Sequence, residues 1–217
     1  MSHYFENDQN LVSDIKPFNI RINGNSFIFN TDNGVFSKGE LDFGTNLLIS
    51  NALILNITGN VLDLGCGLGR HSMLFYDYGF KVTACDITPY CLKYLRDWQI
   101  KRGISFPVVE CDMLDLPFAN NSFDAIYAYH VLSHTNLEGF KKLFKKVYDI
   151  LDNDGEIFFD VLSKKCDLFT TSGYPKLDSN TILSKSENEL DVPHICFDYE
   201  ELVNILIYIP IVIPEIV

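Results

Sequence analysis

The chain is poor in basic residues and has no paired-cysteine spacing. Of its 217 residues, 17 are Lys or Arg against 29 Asp or Glu, a formal net charge of −12 at pH 7. A nucleic-acid binder presents a basic face to phosphate, so this balance counts against DNA or RNA as a partner. The six cysteines (66, 85, 91, 111, 166, 196) contain no C-x-x-C pair, which removes the common zinc and dithiol spacings. Several fall inside predicted strands and read as reduced, buried thiols of a cytoplasmic protein. No long apolar run is present. The longest late one, Ile205 to Ile213, is interrupted by Pro210, whereas a membrane span needs about 20 residues. The opening "MSHYFENDQN" has neither a basic start nor an apolar stretch, so no secretory signal is expected. Repeats and low-complexity tracts are absent as well.

What remains is globular. The chain is 47% hydrophobic and holds 17 Phe and 11 Tyr, enough for one substantial core. Residues 1–16 are polar and are expected to be mobile. Residues 17–58 read as a hairpin followed by a covering helix. Phe18, Ile20 and Ile22 alternate, Asn23-Gly24 supplies a type I′ turn, and Phe27 and Phe29 resume the alternation. Leu47, Leu48 and Leu55 suggest a helix over about 43–56.

From Asn60 strands and helices alternate. Strands are predicted at 61–64, 81–86, 106–111, 123–129 and 155–162, and helices at 70–78, from Pro89 on with Cys91, Tyr94, Leu95 and Trp98 on one face, and at 137–151. Pro89 stands at a favoured first helical position. Such alternation predicts a three-layer, doubly wound α/β fold with a mainly parallel sheet. Ligands of these sheets bind beyond the carboxyl ends of the strands. The polar stretch 164–192, a helix near 199–206 and one strand's worth of "IYIPIVIPEIV" close the chain.

The glycine-rich turn after the first of these strands is neither a P-loop, since no Lys-Ser or Lys-Thr follows, nor a dinucleotide fingerprint, since Arg70 stands where its third glycine belongs. It reads Asp63-x-Gly65-x-Gly67-x-Gly69. This resembles motif I of the class I S-adenosylmethionine-dependent methyltransferases. Glycines there let the backbone approach the amino-acid end of the cofactor, and amides at the helix start can meet its carboxylate. Two more acids, Asp86 and Asp112, end the next two strands. "DMLDLPFANNSFDAIYAYHVLSH" is similar to the middle of the family's small-molecule branch, and the likeness covers about residues 60–163. It implies a Rossmann-like domain over 59–217 that binds S-adenosylmethionine. Asp63, Gly65, Cys66, Gly67, Gly69, Asp86, Ile87, Asp112, Met113 and Tyr129 are its implied cofactor residues. Asp86 would accept the ribose hydroxyls, and Asp112 would face the adenine. The resemblance also implies two strands after the fifth, so the sheet reads as short or truncated by one at its C-terminal edge. An apolar edge left open invites pairing with a second copy.

The segment after the fourth strand, as the resemblance implies, lines the acceptor. Tyr129, His130 and His134 are the candidates for touching an acceptor or taking its proton, histidine being suited to proton transfer near neutral pH. His194 is a further candidate from the late segment. His130 and His134 also form H-x-x-x-H, but no third ligand is evident from spacing, and no metal is assigned. Asp115, Asp124 and the lysines at 141, 142, 145 and 146 read as structural or solvated. The place where base-amino methyltransferases carry Asn-Pro-Pro-Phe reads "YAYHVLSH", which favours a small-molecule acceptor. Thr31 to Leu48, by contrast, resembles the corresponding segment of ribosomal RNA guanine methyltransferases. The expected activity is methyl transfer to a small molecule. An RNA or protein acceptor, or cofactor binding without transfer, stands as the alternative.

Overall fold

The computed structural model of the chain describes residues 16–22, 25–31 and 59–207. Of the expected mobile segment 1–16, residues 1–15 lie outside these, as do the Asn23-Gly24 turn, the helix over 43–56 and the final strand, while Lys16 already begins a strand. β1 (Lys16–Ile22) and β2 (Asn25–Thr31) pair antiparallel, Phe18 facing Phe29 and Ile20 facing Phe27 across the ladder. This hairpin belongs to a unit separate from residues 58–217.

In the second unit the chain builds β3 (Asn60–Leu64), α1 (Arg70–Asp77), β4 (Lys81–Asp86), α2 (Pro89–Arg102), β5 (Val108–Glu110), β6 (Phe123–Ala128), α3 (Leu137–Ile150) and β7 (Leu151–Phe159). The five strands form one parallel sheet in the order β5-β4-β3-β6-β7. The order reverses at β3, so a crevice opens between the loops that follow β3 and β6. This is the doubly wound, Rossmann-like fold that the alternation predicts.

Alternation along β3 distributes its side chains between the two faces. Leu62 and Leu64 join the core beneath α3, with Phe140, Phe144, Val147 and Ile150 of that helix fully buried. Asp63 points to the other face, where it meets Ser72 of α1. Burying so many aromatic and branched side chains supplies most of the driving force at about 25 cal/mol per Å² of apolar surface. α2 starts at Pro89 as predicted and ends on Gly103 in the left-handed region (φ 65°).

Boundaries differ by more than one residue in two strands. The third strand of the sheet is shorter than read, 108–110 in place of 106–111, because Phe106 and Pro107 serve as acceptors from Gln99 and Ala84 before the ladder begins. The fifth begins early and ends at Phe159 rather than at 162. Leu151 already pairs with Phe123, the chain bulges through 152–155, and regular pairing resumes at Glu156 opposite Ala125.

The late region contains more structure than its polarity suggests. β8 (Leu162–Ser163), β9 (Thr181–Leu183) and β10 (Pro193–Phe197) form a second small sheet with β10 in the middle. A short helix α4 (Asp167–Thr170) lies between β8 and β9 in sequence, and the helix α5 (Tyr199–Ile207) follows β10. Ile195 and Phe197 of β10, with Leu202 and Leu206 of α5, belong to the main core. Among the described residues no helix is long and apolar enough to cross a membrane.

Candidate cofactor and acceptor site

The glycine turn leaves β3 and enters α1, with Gly69 as the helix N-cap in the left-handed region. Its three glycines do different work. A Cβ on Gly65 would stand 2.2 Å from the Val131 side chain, and one on Gly69 2.2 Å from that of Leu95. These two are small so that the turn can press against the loop after β6 and against α2. Gly67 (φ 51°) faces nothing within 4 Å. Its open side is where a ligand can come against bare backbone.

Asp86, at the end of β4, braces the turn. One carboxylate oxygen accepts from the Gly67 N–H and the other from the Thr88 N–H, both at 2.8 Å. Each oxygen keeps a further lone pair for a hydroxyl donor. Just after Asp86 in sequence, Ile87 and Tyr90 are 63% and 62% exposed and offer apolar surface. Asp112 is exposed and accepts from Leu114 N at 2.8 Å, capping the short turn Met113–Asp115. Met113 is half-buried against the core.

Asp63 and Cys66 are placed differently. Asp63 is buried and accepts from Ser72 Oγ at 2.5 Å. Burial pushes its carboxyl up to about 7, against the opposing pull of the Ser72 hydrogen bond. Cys66 is also buried, and burial first, then the nearby acids, drives its thiol far above the ordinary range. Its side chain is therefore a neutral packing group, and the backbone is what it offers to a ligand.

Across the crevice, the loop after β6 carries an aromatic wall. Tyr129 stacks on Tyr127 with ring centroids 6.2 Å apart, and His71 of α1 meets both edge-on. His130 follows with φ 57°, a conformation that non-glycine residues seldom hold without support. Asp160, just past β7, supplies the support. It accepts from the His130 backbone N–H at 2.6 Å, and its other oxygen lies 2.6 Å from Nδ1 of the same residue. A carboxylate here accepts, so Nδ1 carries the hydrogen, and in the neutral ring Nε2 bears the lone pair. Asp160 went unread in the sequence, although it ends the apolar run "EIFF" just as Asp86 ends its own strand.

His134 turns elsewhere. It meets Glu189 and His194, not its spacing partner His130. His194 is buried in β10, and that burial, with His134 next to it, holds its imidazole below the ordinary histidine range. Asp124 is structural as read, accepting from Asn60 N at 2.7 Å. Lys141, Lys142 and Lys145 are exposed. Lys146 departs from the solvated reading, donating to the Phe118 carbonyl at 2.8 Å from a partly buried position.

Comparison with known proteins gives this geometry a context. A family model described as a methyltransferase domain matches residues 61–155. Ribosomal RNA small subunit methyltransferase C of Pseudomonas syringae pv. tomato is 30% identical over 151 residues, 68% of this chain and 45% of that protein. Sterol 4-C-methyltransferase strm-1 of Caenorhabditis elegans is 28% identical over 130 residues, 59% of this chain and 36% of its own. The chain thus spans less than half the length of these curated relatives. The solved structure of a SAM-dependent methyltransferase from Methanosarcina mazei superposes with a TM-score of 0.62 at 18% identity, covering 72% of this chain and 82% of that one.

Proposed function

Because residues 61–155 are a class I S-adenosylmethionine-dependent methyltransferase domain, with S-adenosylmethionine as its cofactor, we propose that the chain moves the cofactor's methyl group directly onto a small-molecule acceptor. The observation that carries the reading is the glycine turn at the point where strand order reverses, braced by Asp86.

The residues fit the cofactor. Gly67 offers open space and bare backbone, and Ile87 and Tyr90, just after an acid with spare acceptor capacity in sequence, offer exposed apolar surface. When bound, the cofactor supplies a methyl group made electrophilic by its sulfonium. In this reading the turn around Gly65, Cys66, Gly67 and Gly69 receives the amino-acid end on its backbone. Asp86 accepts the ribose hydroxyls while holding Gly67 and Thr88 in place. Ile87, Asp112 and Met113 border the adenine. Asp63, behind the turn, makes no direct contact in this reading and acts on the cationic end when its carboxyl, raised to about 7, is ionised. Tyr129 walls the methyl-bearing side. His130, fixed by Asp160, takes the acceptor's proton through Nε2. The chain's main task is then to align the acceptor atom and exclude water.

A small acceptor is supported by the residues after β6, Tyr129-His130-Val131-Leu132 in place of an Asn-Pro-Pro motif, and by the net charge of −12. An RNA acceptor is the second reading, favoured by the likeness to a ribosomal RNA methyltransferase. A screen of metabolites with S-adenosylmethionine, read out as S-adenosylhomocysteine, tests the choice. Turnover with one class of metabolite is expected. Methylation of ribosomal RNA but of no metabolite would move the assignment to the second reading. Calorimetric binding of the cofactor with no turnover on either panel would make the chain a non-catalytic binder.

A further inference from the structure

A second cluster lies beside the acceptor loop and has no part in the reading above. His134 comes from the loop after β6, Glu189 from the short turn Glu187–Glu189, and His194 from β10. Their ligand-capable atoms all lie within 4.8 Å of one another. Glu189 places one oxygen 3.5 Å from His134 Nε2 and the other 3.2 Å from His194 Nε2.

The tautomers make this arrangement informative. His134 Nδ1 is 3.1 Å from the Val131 carbonyl, and His194 Nδ1 is 3.1 Å from the Val192 carbonyl. A carbonyl oxygen can only accept, so both Nδ1 atoms carry hydrogen. In the neutral rings both Nε2 atoms are then bare lone pairs, and they face a carboxylate that has no proton to give. Three electron-pair donors thus converge on one point, which needs a positive charge, either an added proton or a cation. Metal-binding histidines are oriented in this way, with the second ring nitrogen donating to a backbone carbonyl.

We propose that His134, Glu189 and His194 form a binding site for one divalent transition-metal ion, with zinc the closest match. Two ligands each about 2.0–2.1 Å from a tetrahedral ion stand about 3.3–3.4 Å apart. Each imidazole Nε2 lies 3.2–3.5 Å from one Glu189 oxygen, a different oxygen for each ring, and the ligand atoms all fall within 4.8 Å, so a small inward adjustment brings them to that spacing. Two imidazoles and one carboxylate are a recognised three-ligand zinc set that leaves a fourth position open. Access is available, since the side chains of His134 and Glu189 are 35% and 39% exposed while that of His194 is 5% exposed. The frame is already braced. Ile195 N donates to Ser133 O at 2.8 Å, which fixes the residues next to His194 and His134 side by side. Val192 N donates to Glu189 O at 3.0 Å, which closes the turn that leads from Glu189 to His194. The ion would clip the late segment to the loop that presents Tyr129 and His130, and leave the cofactor half untouched.

The test uses the whole chain, stripped with a chelator and titrated with cobalt(II), then with zinc. One cobalt per chain is expected, with the visible absorption of a tetrahedral nitrogen and oxygen site and no thiolate charge-transfer band. Zinc should displace it and raise the melting temperature, because a ligand of the native state alone stabilises that state. His134→Gln and Glu189→Gln, both at partly exposed positions, should each weaken uptake by at least about tenfold, with S-adenosylmethionine affinity unchanged. The proposal is overturned if the folded, stripped chain takes up no cobalt, which would leave only a proton shared in the cluster. It is equally overturned by a thiolate band, which would place the metal on cysteines, or by unchanged uptake in the His134→Gln/Glu189→Gln variant.

Discussion

The two halves of the sheet's carboxyl edge are built by different means. On the β3–β4–β5 side the site is mostly backbone. Amides of the glycine turn and of Thr88 are held by one acid, and each contact follows from where a strand stops. On the β6–β7 side the site is side chains, Tyr129, His130 and Asp160, gathered from separate segments and propped in a strained conformation. The first half can hold a ligand common to a large family, because backbone geometry tolerates sequence change. In the proposed function the second half sets chemistry and acceptor choice, because every contact there depends on which side chain is present.

The largest expected effect lies in the second half. His130→Asn keeps a residue that tolerates positive φ but removes the base, and Asp160→Asn removes its brace. Each should lower kcat by about 10²- to 10⁴-fold while calorimetry shows unaltered cofactor affinity. A matching loss of affinity would erase the division between the halves.

The next effect separates two glycines of the first half. Gly69→Ala adds a Cβ against the buried Leu95 at a positive φ, at a cost of about 2–6 kcal/mol from strain and overpacking together. Gly67→Ala keeps the positive-φ strain but meets no protein atom, so its melting temperature should fall less than that of Gly69→Ala while its cofactor affinity falls at least about tenfold. Thermal melts and calorimetry on the two variants read both quantities. Equal loss of stability would show that Gly67 has a packing role.

Asp63 gives a signature in pH. An acid near 3.9 in the unfolded chain that is raised to about 7 by burial makes the native state bind the extra proton between those values. Stability therefore falls as pH rises from about 4 to about 7, by at most about 4 kcal/mol, and is level above. Asp63→Asn should remove that fall, so the variant gains on the wild type at pH 8 and not at pH 4. A variant curve parallel to the wild type in urea melts across this range would mean that Asp63 ionises freely.

The smallest effect tests one ligand contact. Asp86→Ala should weaken S-adenosylmethionine binding by roughly tenfold to a hundredfold, the worth of one or more charge-assisted hydrogen bonds. Asp115→Ala, on the exposed turn, should do far less. A 2′-deoxyribose analogue should bind the wild type poorly and the Asp86→Ala variant as well as the normal cofactor does. Continued discrimination by the variant would reduce Asp86 to a brace for Gly67 and Thr88.

The order of strands and helices was legible because each element carries its own period. β4 and the start of α2 came out at their predicted ends, since Asp86 and Pro89 are local signals that no distant contact overrides. The bulge at 152–155 was not legible, since it depends on register against β6. Nor was β10, where "PHICF" looks like part of a loop until β8 and β9 flank it.

The sequence by itself determined the doubly wound sheet and the position of the glycine turn within it, because hydrophobic period and turn chemistry act over a few residues. Only the tertiary structure decided that His130 belongs with Asp160 and that His134 belongs with Glu189 and His194. Spacing along the chain had suggested His130 with His134, but a loop residue's direction is set by what it packs against. Here the partners arrive from strands and turns far away in sequence, and their hydrogen bonds, not local period, choose which way each imidazole points.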